Sequence, residues 1–267
     1  MSTSTGKNQS FSKENMSEFL RSLISAILVI GVIQTVAYQN FNIPSGSMKP
    51  NLLIGDFLFV SKYTYGYSHY SIPFSPPLFK GRIFAQEPKR GEVVVFRPQF
   101  NPKIDFIKRL VGLPGDRIQM REGILYINDQ ACPLEKVPED FSDHLYVNYF
   151  PGNVEERVYD DEGIKIQQFI QTLPNGTKHL IIKEKPFGAG RFDNTDEFVV
   201  PEGHYFMMGD NRDGSDDSRN ITHLGFVPQE NLIGRAELIY FSTSAQWWEI
   251  WKWVSHIRYD RFFKFIR

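Results

Sequence analysis

Three short segments hold side chains whose types and spacing suit acyl-transfer chemistry. The first is Phe41-Asn42-Ile43-Pro44-Ser45-Gly46-Ser47-Met48-Lys49-Pro50. Two serines flank a glycine between two prolines. The prolines restrict the backbone, and the glycine lets it pass close to another group. A rigid turn holding out a hydroxyl is what a serine nucleophile needs, although Ser-Gly-Ser alone is more often a linker. The Gly-x-Ser-x-Gly hydrolase elbow is not matched. The second segment, Ile104 to Asp116, places Lys108 inside a β-rich apolar stretch. Strand lysines ordinarily face solvent. The alternative is a desolvated amine: moving its pKa from about 10.4 to near 8 takes roughly 3 kcal/mol of disfavoured charge. A neutral lysine is a competent general base for a serine hydroxyl. The third segment, Met208 to Arg219, is a dense polar loop with three readings: a calcium loop, a solvated turn or a hydrogen-bonded active-site loop. An EF-hand requires a closing Glu and flanking helices, and neither is present. In the last reading Ser215 orients the lysine amine, while Asp217 and Arg219 pair and hold the loop. No histidine falls in the three segments, so a Ser-His-Asp triad is unsupported.

Positioning these residues falls to strands. Glu92–Phe96 is a short apolar run after Arg90-Gly91 and suits a buried strand. Ile104–Val111 alternates, with Phe106, Lys108 and Leu110 on one side and Ile107, Arg109 and Val111 on the other. Asp116–Met120 and Ile124–Asn128 predict a hairpin across Arg121-Glu122-Gly123, and Asn175-Gly176 predicts another between Phe169–Leu173 and His179–Ile182. Tyr205–Met208 and Arg235–Phe241 read as further strands. Strands do not alternate with long amphipathic helices, so βαβ folds are not expected. Between Glu135 and Glu162 lie nine acidic and two basic side chains, and 129–200 is taken as an inserted subdomain.

The chain ends point to a membrane. Residues 1–18 read as a disordered lead. Phe19–Ala37 is apolar apart from Arg21 and a few small or polar residues, and as a helix it would rise about 28 Å against a hydrocarbon slab of about 30 Å. An anchor, a cleaved secretory signal and a buried core helix are the alternatives, the anchor favoured. Lys7, Lys13 and Arg21 precede the span and only Lys49 soon follows it, so the positive-inside rule keeps the N-terminus cytoplasmic. At the other end, 246–267, all four tryptophans (Trp247, Trp248, Trp251 and Trp253) precede Tyr259, Phe262, Phe263 and Phe265, interleaved with Lys252, Arg258, Arg261, Lys264 and Arg267. That mixture suits a membrane–water interface; the alternative is a helix packed on the protein's own core.

Composition excludes other classes. With 267 residues, 41% hydrophobic and 23% charged, the chain is long and apolar enough for a real core and is not a disordered protein. A net charge of −1 gives no bulk basic excess for nucleic acid. The single cysteine, Cys132, excludes an intramolecular disulfide framework and any multi-cysteine zinc site. No cofactor or metal is called for.

Taken in order, the three segments closely resemble bacterial type I signal peptidases, also called leader peptidases. The resemblance runs from about Phe41 to Phe241, interrupted over 129–200. It rests on Pro44-Ser45-Gly46-Ser47-Met48 with Leu53-Ile54-Gly55-Asp56, on Ile107-Lys108-Arg109 with Gly112-Leu113-Pro114-Gly115-Asp116, and on Gly209-Asp210-Asn211-Arg212-Asp213 through Ser218-Arg219. Gly225-Phe226-Val227-Pro228 and Gly234-Arg235-Ala236 fit too. The resemblance implies that Ser47 is the nucleophile and Lys108 the general base. It implies an oxyanion hole from the Ser47 amide and the Ser45 hydroxyl, and a hydrogen bond from Ser215 to Lys108. Asp217 and Arg219 would brace the site, and Ile43, Pro44 and Ile107 would line shallow pockets for an Ala-x-Ala sequence. It implies a mainly antiparallel β catalytic core over 38–128 and 201–245, with a smaller inserted α+β or β subdomain at 129–200 and one N-terminal transmembrane helix at 19–37. The expected enzyme is a monomeric, single-pass protein of the bacterial inner membrane, its catalytic domain on the periplasmic side. It would cut signal-peptide-bearing preproteins, rest against lipid and bind no nucleic acid. Departures exist: one span is visible where some members have two, Cys132 excludes the disulfide some carry, and 129–200 is not matched. A related Ser/Lys protease with another target and a non-catalytic anchored β-domain are the alternatives.

Overall fold

The apolar N-terminal run folds as α1 (Lys13–Val36). Its Met16–Ile33 stretch has a mean hydropathy of 1.9, and none of that stretch is buried against the rest of the protein. The helix starts earlier than Phe19 because Lys13 to Glu18 contains no glycine or proline and includes several strong helix formers. The expectation of a disordered lead therefore fails for 13–18, and residues 1–12 lie outside those described. The computed structural model describes residues 13–72, 75–137, 166–245, 251 and 253–266.

The rest is mainly antiparallel β. The strands are β1 (Tyr38–Asn42), β2 (Asp56–Ser61), β3 (Val93–Phe96), β4 (Phe106–Gly112), β5 (Arg117–Arg121), β6 (Ile124–Ile127), β7 (Gln130–Ala131), β8 (Leu134–Lys136), β9 (Gln167–Thr172), β10 (Lys178–Lys183), β11 (Phe198–Val199), β12 (His204–Met208), β13 (Val227–Pro228) and β14 (Leu232–Ser242), followed by the short helix α2 (Trp253–His256) and β15 (Lys264–Phe265). The main sheet runs β1-β2-β14-β3-β4-β12-β13, with β15 added on β14. A second sheet runs β11-β5-β6-β7 and a third β10-β9-β8. The second sheet straddles position 129, with β5 and β6 before it and β7 and β11 after. Sheet two and the main sheet share one core, where Val111, Phe206 and Met208 meet Ile118, Met120, Leu125 and Cys132.

The period-two pattern holds in the strands that carry the chemistry. Val93 and Val95 pack with Ile43, Met48 and Leu58, whereas Val94 and Phe96 pack with Leu110 and Tyr205 on the other face. Lys108 sits opposite Val94 in the β3–β4 ladder, and Arg109 opposite Val93.

The described part of the C-terminal segment is in part packed on the protein's own core. Trp251, Tyr259, Phe263 and Phe265 are exposed, whereas Arg258 and Arg261 are buried rather than free at a surface. Arg261 pairs with Asp56, and Arg258 donates to the Thr243 carbonyl. A buried carboxylate with a cation in reach is too costly to leave unpaired, and this decided the docking. Trp247 and Trp248 lie outside the described residues.

Candidate active site

The turn between β1 and β2 is shaped by what its neighbours bury. Ile43, Met48 and Leu52 enter the core, which leaves Ser47 between a glycine and a buried methionine. The Ile43 amide bonds Asp56 O at 2.9 Å and the Gly55 amide bonds Ile43 O at 2.9 Å, closing the loop at its base. Gly46 is where close approach matters: a Cβ there would lie 3.0 Å from Lys49 Cε, because the Lys49 side chain folds across it.

Ser47 and Lys108 meet. Lys108 Nζ lies 2.6 Å from Ser47 Oγ, and the residues are 4% and 7% exposed respectively. Burial lowers the Lys108 pKa to about 8, outweighing the upward pull of Asp217, Asp216 and Asp210; Arg219 adds to the lowering. Its nitrogen also lies 5.3 Å from the centre of the Phe106 ring. Of the alternatives open for this lysine, the solvated face is excluded. Lys62 is a useful contrast. It too is buried, with a pKa lowered to about 8, but its nitrogen binds the Ser71 carbonyl at 2.6 Å. Burial lowers the basicity of both amines to a similar degree, but the Lys62 amine meets a carbonyl where the Lys108 amine meets the Ser47 hydroxyl.

The polar loop after β12 grips this pair. The Asn211 amide donates to Ser47 O at 3.1 Å. The Gly209 amide donates to Asp217 Oδ2 at 2.9 Å, and Arg219 binds Asp217 through two contacts of 2.8 Å. Burial raises the Asp217 pKa, but Arg219 and the Gly209 amide outweigh it and hold the carboxyl below its usual range. Arg219 also donates to Arg212 O at 2.7 Å. Three of the loop's four Asp residues face an arginine or lysine: Asp210 meets Arg109, Asp213 meets Lys183 and Asp217 meets Arg219. Among the described residues no cluster of three or more His, Cys, Asp or Glu side chains could hold a metal.

Other expected residues fall as follows. Ser45 is exposed, with its hydroxyl 3.5 Å from Ser47 Oγ. Among the described residues no backbone hydrogen bond engages the Ser47 amide. Ser215 is buried, and among the described residues its Oγ has no partner at hydrogen-bonding geometry, although it lies close enough to Asp217 to help hold that carboxyl below its usual range. The Ser215–Lys108 bond is therefore not formed: the lysine nitrogen points to Ser47, and Ser215 packs against Gly209, where a Cβ would fall 2.2 Å from its Oγ. Ile43 is buried, Ile107 half-buried and Pro44 exposed, with Ile43 and Ile107 in one core cluster.

Sequence reasoning missed an ion pair and its neighbours. Arg109 clasps Asp210 through two contacts of 2.8 Å, both side chains fully buried. Asn51 donates to Asp210 Oδ2 at 2.7 Å. An arginine facing inward from a strand beside Lys108 was the available signal.

Residues 16–241 match the family described as signal peptidase, peptidase S26. The chain belongs to this family. It is a serine endopeptidase of the signal peptidase class. The signal peptidase I of Rickettsia massiliae is 42% identical over 260 residues, covering 91% of this chain and 90% of the relative. The signal peptidase I of Rickettsia prowazekii is 40% identical over 270 residues, covering 95% of each. A crystal structure of a signal peptidase I from Enterococcus faecalis is 27% identical, covers 56% of this chain and 97% of its own, and has a TM-score of 0.29; overlap at that level says nothing further about the fold.

Proposed function

We propose that this signal peptidase removes N-terminal signal peptides from secreted preproteins by a Ser/Lys mechanism, cutting after a small-x-small sequence such as Ala-x-Ala. The observation that carries the reading is the 2.6 Å contact between a buried, weakly basic Lys108 amine and the Ser47 hydroxyl. In its neutral form Lys108 accepts the Ser47 proton as the oxygen attacks the carbonyl carbon before the scissile bond. The Ser47 amide and the Ser45 hydroxyl receive the oxyanion; losing one such donor typically costs about 3–4 kcal/mol of transition-state stabilisation. The Lys108 ammonium returns its proton to the departing amine, which becomes the mature N-terminus. Lys108 then deprotonates a water that hydrolyses the acyl-enzyme, and Ser47 is regenerated. Ile43, Pro44 and Ile107 form the wall for the small side chains. Asp217 with Arg219 holds the loop.

In this reading α1 is a single membrane span with the N-terminus cytoplasmic. The catalytic domain lies on the periplasmic side of the inner membrane and works as a monomer with lipid beside it. Enzyme and precursor then share one thin layer, which raises effective concentration. Detergent-solubilised enzyme given a preprotein should release the signal peptide after Ala-x-Ala. Ser47→Ala and Lys108→Ala should be folded and inactive. Activity should rise with pH around an apparent pKa near 8, because the base must be neutral. Full activity in Lys108→Ala, or strong activity at pH 5, would refute the mechanism.

A further inference from the structure

The turn that carries Ser47 is irregular chain, yet its hydroxyl must be held to a fraction of an ångström from Lys108. One grip comes from a residue 205 positions beyond Asp56. Arg261 is 1% exposed. Its Nε donates to Asp56 Oδ1 at 2.9 Å, and its Nη2 donates to Asn51 O at 2.9 Å and also meets Asp56 Oδ2. Asp56 in turn accepts the Leu53 amide at 2.8 Å and the Ser242 hydroxyl at 2.6 Å. Asn51 is the meeting point. Its carbonyl takes Arg261, while its side-chain Nδ2 donates to Asp210 Oδ2 at 2.7 Å and Leu180 O at 2.7 Å. Asp210 is clasped by Arg109, the neighbour of Lys108 in β4. Asn211, next to Asp210, donates its amide to Ser47 O.

We propose that Arg261 is a positioning residue for the reaction: it fixes Asn51, and through Asn51 and Asp210 it ties the Ser47 turn to the strand that carries Lys108. This rests on Ser47 and Lys108 being the reacting pair. The guanidinium is required because a planar fork can serve a carboxylate and a carbonyl together. An ammonium on a thinner stem cannot reproduce both directions. The C-terminal segment is thereby part of the catalytic architecture, although it contributes no reacting atom.

Removing Arg261 alone would leave the Asp56 carboxylate buried and unpaired, which destabilises on its own account. The test therefore uses the full-length, detergent-solubilised enzyme with Arg261→Met, Arg261→Lys and the charge-balanced double variant Asp56→Asn/Arg261→Met. The readouts are kcat and KM on a preprotein, the pH–rate profile and a melting curve. The double variant is expected to fold, with kcat lowered about 10- to 100-fold, since roughly that loss follows from a displacement of order 1 Å at a reacting pair. KM should change less than about twofold and the apparent pKa should stay near 8, because the burial of Lys108 is untouched. Wild-type kcat in the folded double variant overturns the proposal, as does a loss carried wholly by KM. If neither Met-containing variant folds, Arg261→Lys decides: a lowered kcat at unchanged KM supports the brace, and a wild-type kcat overturns it. Ser47→Ala run alongside separates the two failures. Activity there removes the Ser/Lys reading, whereas an inactive Ser47→Ala beside fully active Arg261 variants removes only the brace.

Discussion

Replacing Lys108 by methionine should abolish activity and stabilise the fold at neutral pH, two effects that seldom coincide. The folded amine has a pKa of about 8, while an unfolded lysine titrates near 10.4. Between those values the unfolded chain binds more protons, so stability rises with pH across that window and the penalty is complete below pH 8. Its size is about 3 kcal/mol, from roughly 1.4 kcal/mol per tenfold change in proton affinity. Methionine fills a similar volume and carries no charge, so it removes that penalty. It also forfeits the Nζ–Ser47 hydrogen bond, a loss of about 1 kcal/mol. Lys108→Met should therefore be more stable than wild type by about 2 kcal/mol at pH 7, and less stable by about 1 kcal/mol above pH 10.5, where the amine is neutral in both states. Urea denaturation followed by tryptophan fluorescence in one detergent, at the two pH values, measures the difference. Activity should fall at least 100-fold, the lower end for removal of a general base. A variant less stable than wild type by the same margin at both pH values would refute the idea of a strained, buried charge at this position.

Three further outcomes follow from the same geometry. Asp217→Ala leaves Arg219, 3% exposed, buried without its carboxylate, so denaturation should show a loss of about 3–5 kcal/mol. Gly209→Ala puts a Cβ 2.2 Å from Ser215 Oγ and 2.6 Å from Ser47 O, so kcat should drop by about 100-fold or more, with far-ultraviolet dichroism unchanged. Removing residues 1–36 takes away a helix whose apolar stretch buries nothing against the sheet. The melting temperature of the remainder and its turnover of a short soluble peptide should persist, while cleavage of a bilayer-embedded precursor falls about 100-fold or more as shared localisation is lost.

Legibility in the sequence followed burial symmetry. β3 and β4 could be read because Val93–Phe96 is buried on both faces and β4 is edged by a Pro-Gly-Asp turn. β1 could not, since Tyr38-Gln39-Asn40-Phe41-Asn42 has residues of poor strand preference and is only half-covered. β15 is two residues long and exists through its pairing with Leu238 and Ile239. Arg258 and Arg261 read as interface cations because their acceptors, Thr243 O and Asp56, are far away in sequence.

The residues themselves determined which atoms are available: a serine in a proline-bounded turn, a lysine within an apolar strand, a polar loop of aspartates and arginines, and a helix apolar enough to span a bilayer. Local rules of backbone stiffness, alternation and hydropathy suffice for that much, because each depends on neighbours along the chain. Whether the lysine met water or the serine, whether Ser215 reached the amine, and which cation closed on which carboxylate were decided by the tertiary structure. Desolvation and ion pairing depend on what surrounds an atom in space. At Lys108 those surroundings come from β3, the Ser47 turn and the loop after β12, segments that only the folded sheet brings together.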